Sequence, residues 1–195
     1  MSVVAVTGAG GTLGPAVVER LRAAGHELDA PSHAEVDLLD PAAAAAWAAR
    51  LGEVSALVHL VGGWRGGTPI DEEPEGDWAW LCERLVGTVR VATRAFLPAL
   101  RSSGGRFVLV SSRLAQAPNA ENASYAAAKA AAEAWTLALA RDLGEHGGTA
   151  NVVVVGAIGD ERPSFTPAAD VAEAIAFLLS EHGAHANGQR IALHG

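Results

Sequence analysis

The sequence predicts a doubly wound α/β fold, with a parallel sheet of about six strands covered by helices on both faces. Three observations predict it. Apolar, β-branched runs recur over residues 3–6, 56–61, 106–110 and 151–155, with a shorter one over 191–193. They are continuous rather than alternating, the pattern of strands buried on both faces. Helical stretches separate them, over 12–24, 41–51, 77–101, 122–145 and 167–180. A glycine-rich segment, Thr7-Gly8-Ala9-Gly10-Gly11-Thr12-Leu13-Gly14, joins the first strand to the first helix, where Rossmann-like folds hold a dinucleotide.

Each element has its own punctuation. The opening run has no basic segment before it and passes straight into the glycine loop, so it reads as a strand rather than a leader. Pro15 suits the first helical turn and Gly25 closes that helix. Asp40 caps the next helix, which Pro41 opens. Between them a second strand is expected over 27–30. Val36-Asp37-Leu38, which resembles another strand end, follows within a few residues. A parallel crossover needs a dozen residues or more, so one helix and one edge strand are expected to be missing. Residues 1–195 read as a single nucleotide-binding domain, without linker or internal repeat.

Composition narrows the function. The net charge of −8 argues against nucleic acid or an anionic membrane as partner. No apolar stretch approaches the roughly 18 residues that span a bilayer. The lone Cys82 cannot form an internal disulfide, so a reducing, cytoplasmic setting is expected. The seven histidines show no metal-ligand spacing.

The glycine loop allows a tight turn and lets backbone N–H groups reach a pyrophosphate at a helix N-terminus. An acid at the end of the second strand would bind the ribose 2′-OH of NAD. That position falls on the uncharged Ser32, which favours NADP(H) over NAD(H). Tyr125 and Lys129, the one tyrosine and the one lysine among 13 arginines, stand four apart in a helical stretch and so share a face. A nearby ammonium lowers a phenol's pKa, and such a phenol exchanges protons with an alcohol or ketone. Ser112 closes the run over 106–110 at the ligand-binding edge of the sheet.

Together the glycine loop, Val110-Ser111-Ser112, the step of thirteen to Tyr125, and Tyr125-x-x-x-Lys129 resemble the short-chain dehydrogenase/reductase family, nearly end to end. The resemblance implies an NAD(P)(H)-dependent oxidoreductase that interconverts a carbonyl and an alcohol on a small molecule. Tyr125 would be its acid/base, Lys129 would also bind the nicotinamide ribose, and Ser112 would orient the substrate. It implies cofactor contacts at Gly8, Gly11, Thr12, Leu13 and Gly14, at Asp37 and Leu38, at Val61 and Gly62, and at Gly156 and Ile158. It also implies a homodimer or homotetramer built on the alanine-rich face around Tyr125.

Three departures qualify this. Arg84 stands where the family has a catalytic asparagine. Only about ten residues separate Gly156 from the helix near Pro167, too few for the usual substrate-covering insertion. Gly62-Gly63-Trp64-Arg65-Gly66-Gly67 resembles a loop of dihydropteridine reductase, and Trp64 could stack on a planar substrate or simply anchor the loop. A pterin reductase and a non-turning-over nucleotide sensor are therefore the alternative readings.

Overall fold

The computed structural model describes residues 3–159, 162 and 164–193. Its sheet holds six parallel strands: β1 (Val3–Thr7), β2 (Glu27–Asp29), β3 (Val54–His59), β4 (Arg106–Ser112), β5 (Thr149–Val155) and β6 (Arg190–Ala192). They lie in the order β2-β1-β3-β4-β5-β6. The chain winds outward from β1 to β2, then returns to build the other half from β3 onward. The carboxyl ends of β1 and β3 therefore flank the switch point, where such sheets bind ligands. Register carries the ends of β4 and β5 to the same edge, with Ser112 beside Val155.

Helices cover both faces. α1 (Gly14–Ala23) and α6 (Ala168–Leu179) share one core with Val6, Val58 and Val153. The other face takes α2 (Pro41–Leu51), α4 (Thr88–Ser103) and α5 (Ala123–Gly144), packed on Leu57, Leu109 and Val152. Every residue of β5 is buried, because valines on both faces meet a helix layer. Each such side chain contributes roughly 1.5–3 kcal/mol on burial.

The expected missing unit is missing. β2 is the sheet edge, and Val36-Asp37-Leu38 is not a strand. Asp37 instead turns the chain, its Oδ1 accepting from the Leu39 amide at 2.9 Å. Asp40 caps α2 through the Ala42 amide, as its sequence position predicts. With no intervening element, α2 lies directly under β2. There Trp47 Nε1 donates to Asp29 Oδ1 at 2.8 Å, and Arg50 grips both Asp29 oxygens at 3.0 Å.

The expected helix over 77–101 is longer and not uniform. It starts as α3 (Glu75–Leu81), widens into a π-helical stretch at Cys82–Gly87 and continues as α4. Such widenings redirect side chains and often occur at functional sites. Here the widened turn carries Arg84.

Candidate active site

A cleft of about 1090 Å³ runs along the carboxyl edge, from Pro31 and Ser32 past the glycine loop to Ser112, Tyr125 and Ile158. Drug-sized ligands occupy roughly 300–1,000 Å³, so there is space here for a dinucleotide with a small molecule beside it. Gly8 has a positive φ of 73°, and a Cβ there would meet the Val61 nitrogen at 2.7 Å. The chain can thus turn tightly against the start of the segment after β3 only as glycine. Gly11 donates to the Gly8 carbonyl at 3.0 Å and Gly14 to that of Gly11 at 3.1 Å. The amides of Thr12 and Leu13 have no partner among the described residues, and both residues line the cleft at the N-terminus of α1. Two free amides at a helix start fit a pyrophosphate. Gly14 does not line the cleft; it is buried because α1 begins against the Ala9 carbonyl, where a Cβ has no room.

One end of the cleft is lined by Ser32, Asp37 and Leu38. Ser32 donates from both its amide and its hydroxyl to Glu35 Oε2, at 2.8 Å each. Those two bonds hold the Glu35 carboxyl below its ordinary value. Asp29, at the end of β2, does not line the cleft and is bonded to Trp47 and Arg50 of α2.

The other end collects Ser112, Tyr125 and Lys129 from β4 and α5. The Ser112 hydroxyl accepts from the Leu114 amide at 3.2 Å, which leaves its proton to donate elsewhere. Lys129 is buried, and its Nζ donates to the Val110 carbonyl at 3.1 Å. Burial brings the ammonium down to about 8, against the opposing pull of Glu133. Tyr125 departs from expectation. Burial raises its phenol above the ordinary value, and the neighbouring Ser112 hydroxyl only partly offsets this.

Behind these groups lie two features that local sequence patterns do not reveal. Glu133, one turn beyond Lys129 and 1 % exposed, takes both its oxygens to Gln116 Nε2 and accepts from Arg190 at 2.6 Å. It ties α5 to β6 and to the loop after β4. His59, wholly buried at the end of β3, bridges Thr7 Oγ1 at 2.9 Å and Thr88 Oγ1 at 3.2 Å. Burial, with the charge of Lys129, pushes its imidazole down to about 3. It is neutral at physiological pH, and it joins β1, β3 and α4 under the site.

Arg84 lines the cleft rather than facing away from it. Its Nε donates to the Gly62 carbonyl at 3.0 Å, and its guanidinium lies 5.3 Å from the Trp80 ring centre. Thr88 donates to the Arg84 carbonyl at 2.6 Å. Trp64 also lines the cleft, 59 % exposed, with Nε1 donating to Asn122 Oδ1 at 3.0 Å. The Gly67 amide donates to the Glu121 carbonyl at 2.6 Å. The loop after β3 is thereby fastened to the start of α5. Arg113 is a lining residue that sequence reasoning passed over; its signal was a charge directly after Ser112 at a strand end.

Comparison with known proteins agrees with this arrangement. The family model described as short chain dehydrogenase matches residues 29–162. The 3-oxoacyl-(acyl-carrier-protein) reductase of Escherichia coli is 28 % identical over 166 residues, covering 75 % of this chain and 68 % of that protein. The (3R)-3-hydroxyacyl-CoA dehydrogenase of Mus musculus is 32 % identical over 142 residues, covering 62 % of this chain and 54 % of that one. Among solved structures, a blue fluorescent protein from a metagenomic library in complex with NADPH is 29 % identical, with a TM-score of 0.85 over 100 % of this chain and 96 % of its own. A sorbitol-6-phosphate 2-dehydrogenase from Erwinia amylovora shares the fold at 21 % identity, with a TM-score of 0.88 over 99 % and 98 % of the two chains. A family match over most of the chain, on a six-stranded parallel sheet with this cleft at its carboxyl edge, makes the protein a short-chain dehydrogenase/reductase, an oxidoreductase of the nicotinamide-dependent kind.

Proposed function

We propose that this enzyme interconverts a carbonyl and an alcohol on a small molecule, with Tyr125 as acid/base, Ser112 holding the reacting oxygen and Lys129 supporting the cofactor ribose. One observation carries the reading: these three side chains open onto the same cleft as the glycine loop. NAD(P)(H), when bound, supplies or accepts the hydride. The free amides of Thr12 and Leu13 would hold its pyrophosphate, Asp37 and Leu38 would border the adenine, and Val61, Gly62, Gly156 and Ile158 would border the nicotinamide half. The raised phenol suits proton donation: near neutral pH Tyr125 keeps the proton it gives to a carbonyl oxygen in the reduction direction. The Leu114 amide holds the Ser112 oxygen, leaving its hydroxyl proton free to be donated to the same substrate oxygen.

For the cofactor we favour NADP(H). Asp29 is occupied by Trp47 and Arg50, so it is withdrawn from the ribose, and Ser32 brings two donors that a 2′-phosphate could take over from Glu35. The unit spans residues 1–195 as one domain. Ala127, Ala131, Ala134 and Ala138 form an exposed small-residue stripe on α5, which supports a homodimer or tetramer packed on that face. No helix among the described residues is long and apolar enough to cross a membrane. With the lone Cys82, this fits a cytoplasmic enzyme.

The test is NAD(P)H oxidation against a panel of ketones, aldehydes and quinonoid dihydropterins, for wild type and Tyr125→Phe. Loss of the acid should lower kcat by about 100-fold or more with cofactor affinity unchanged, in line with general-acid contributions. Cofactor binding without Tyr125-dependent turnover on any substrate would instead mean a sensor.

A further inference from the structure

We propose that Arg113, with Arg84 lining the same cleft, forms an anion-binding subsite, so that the substrate is a carbonyl compound or alcohol bearing a carboxylate or similar oxyanion. This rests on the oxidoreductase reading above and names the substrate class for the same site.

Position comes first. Arg113 directly follows Ser112 and begins a 3-10 turn, which keeps it at the carboxyl edge of β4. Its guanidinium lies over Gly156, the residue after β5: a Cβ on Gly156 would run into Nη2 and stand 3.0 Å from the guanidinium carbon. Ser112 and Val155 are register partners, so Arg113 and Gly156, which follow them, lie at the same edge of the sheet as the hydroxyl assigned to the reacting oxygen. A substrate held there by its carbonyl has its remainder within reach of a fixed positive charge.

Among the described residues the cation is also uncommitted. Arg113 donates no side-chain hydrogen bond and forms no ion pair among the described residues. Arg84 spends only Nε, on a carbonyl. Nearby Arg65 shows the contrasting arrangement: it is paired with Asp77 at 2.8 Å and stacked on Trp80 at 4.3 Å. Among the described residues two carboxylates line the cleft, Asp37, which accepts from the Leu39 amide, and Glu83, the chain neighbour of Arg84; neither forms an ion pair with Arg84 or Arg113. In a chain of net charge −8, a pair of guanidinium groups with no acidic partner among the described residues, inside a concave, partly apolar site, is a local inversion of sign. Guanidinium offers a planar fork that matches carboxylate and phosphate, and apolar walls strengthen the attraction. Trp64 and Leu114 provide such walls.

The same charge could instead serve a phosphate of the cofactor, and the test separates the two sources. Three oxo acids of different spacing (phenylglyoxylate, acetoacetate and levulinate) are each assayed beside their methyl esters, with wild type, Arg113→Gln and Arg113→Lys. Dissociation constants for NADH and NADPH are measured by fluorescence. Wild type should prefer at least one acid over its ester. Arg113→Gln should lower kcat/KM for that acid about 30-fold or more, the usual scale for losing one partner of a desolvated charge pair, and leave the ester within about threefold. Arg113→Lys should recover part of the loss, and cofactor affinity should not move. Equal rates on acids and esters in wild type would overturn the proposal, as would a fall confined to NADPH affinity. Calorimetric titration with benzoate and benzamide reads the subsite without turnover. Benzoate binding that weakens at least tenfold in Arg113→Gln, with benzamide unaffected, supports the proposal. An absence of benzoate binding to wild type overturns it. If benzoate binds in this way while no carbonyl of any charge is reduced, the oxidoreductase reading has failed and the anion site stands.

Discussion

The two halves of the cleft are built on different principles. The nucleotide half is backbone: a glycine loop pressed against Val61, a helix start pressed against Ala9, and amides left free to bind. Its tolerances are set by atoms that cannot rotate away. The half proposed for substrate is side chains, from β4, α5 and the loops beside them, tied by single hydrogen bonds such as Trp64 to Asn122 and lined by Arg84 and Arg113, which have no acidic partner among the described residues. The first half is shaped for one class of ligand, which fits the family's common cofactor. The second is where a particular substrate can be written in, because exchanging a loop side chain there disturbs little else.

The contrast is broken or sharpened by substitution. The largest effect should come from one glycine set against another. Gly8→Ala forces a Cβ against the Val61 backbone at positive φ, and cofactor affinity should fall about 100-fold or more as the loop opens. Gly67→Ala, also at positive φ but only 3.5 Å from a movable Trp64 ring, should cost about 1 kcal/mol of stability and leave cofactor binding unchanged. Fluorescence titration with NAD(P)H and chemical denaturation measure both. Equal losses of cofactor affinity would erase the distinction.

Next in size is acid lability stored under the site. A buried imidazole held down at about 3 stays neutral in the fold, whereas the unfolded chain takes up a proton near 6.5. Between those values the unfolded state binds more protons, so stability rises with pH and is lost as pH falls from 6.5 toward 3. At pH 4.5 the loss from His59 alone is about 3 kcal/mol, and at pH 7 it is absent. His59→Gln, which keeps hydrogen-bonding capacity between Thr7 and Thr88, should be less stable than wild type at pH 7 yet lose less on acidification. Urea melts at the two pH values decide it; parallel losses would remove His59 from the account.

The smallest effect concerns the nucleotide end. Glu35→Gln removes a carboxylate that competes for the Ser32 donors. NADPH should bind about three- to tenfold tighter, with NADH little changed, a shift of the size of one charge-modulated hydrogen bond. An equal gain for both cofactors would mean that Glu35 does not read the 2′ position.

Much of this was legible in the sequence because it is local. A glycine loop after a strand, Tyr125 and Lys129 one turn apart, and Ser112 at a strand end follow from spacing. The cramped step from β2 to Val36-Asp37-Leu38 gave the missing edge unit. Long-range contacts were not legible. Thr7 and His59 meet across 52 residues, Glu133 and Arg190 across 57, and neither pair has a spacing to betray it. The phenol of Tyr125 was misjudged for a related reason: spacing shows that a lysine is near but not how dry the surroundings are, and burial raises the phenol with only the Ser112 hydroxyl set against it. For Gly14, read as a cofactor contact from the family resemblance, the motif did not reveal that its Cα is buried under the Ala9 carbonyl.

Asp29 links the length of the chain to the choice of nucleotide. With no helix and strand between β2 and α2, Trp47 and Arg50 reach the edge strand and take both oxygens of the acid that ends β2. A carboxylate employed as a buttress is not free to read a hydroxyl. On the proposed NADP(H) reading, the short connection does more than trim the fold: it gives Asp29 structural work. An insertion that moved α2 away would restore the missing unit and release Asp29 at the same stroke, so strand number and cofactor preference would change together.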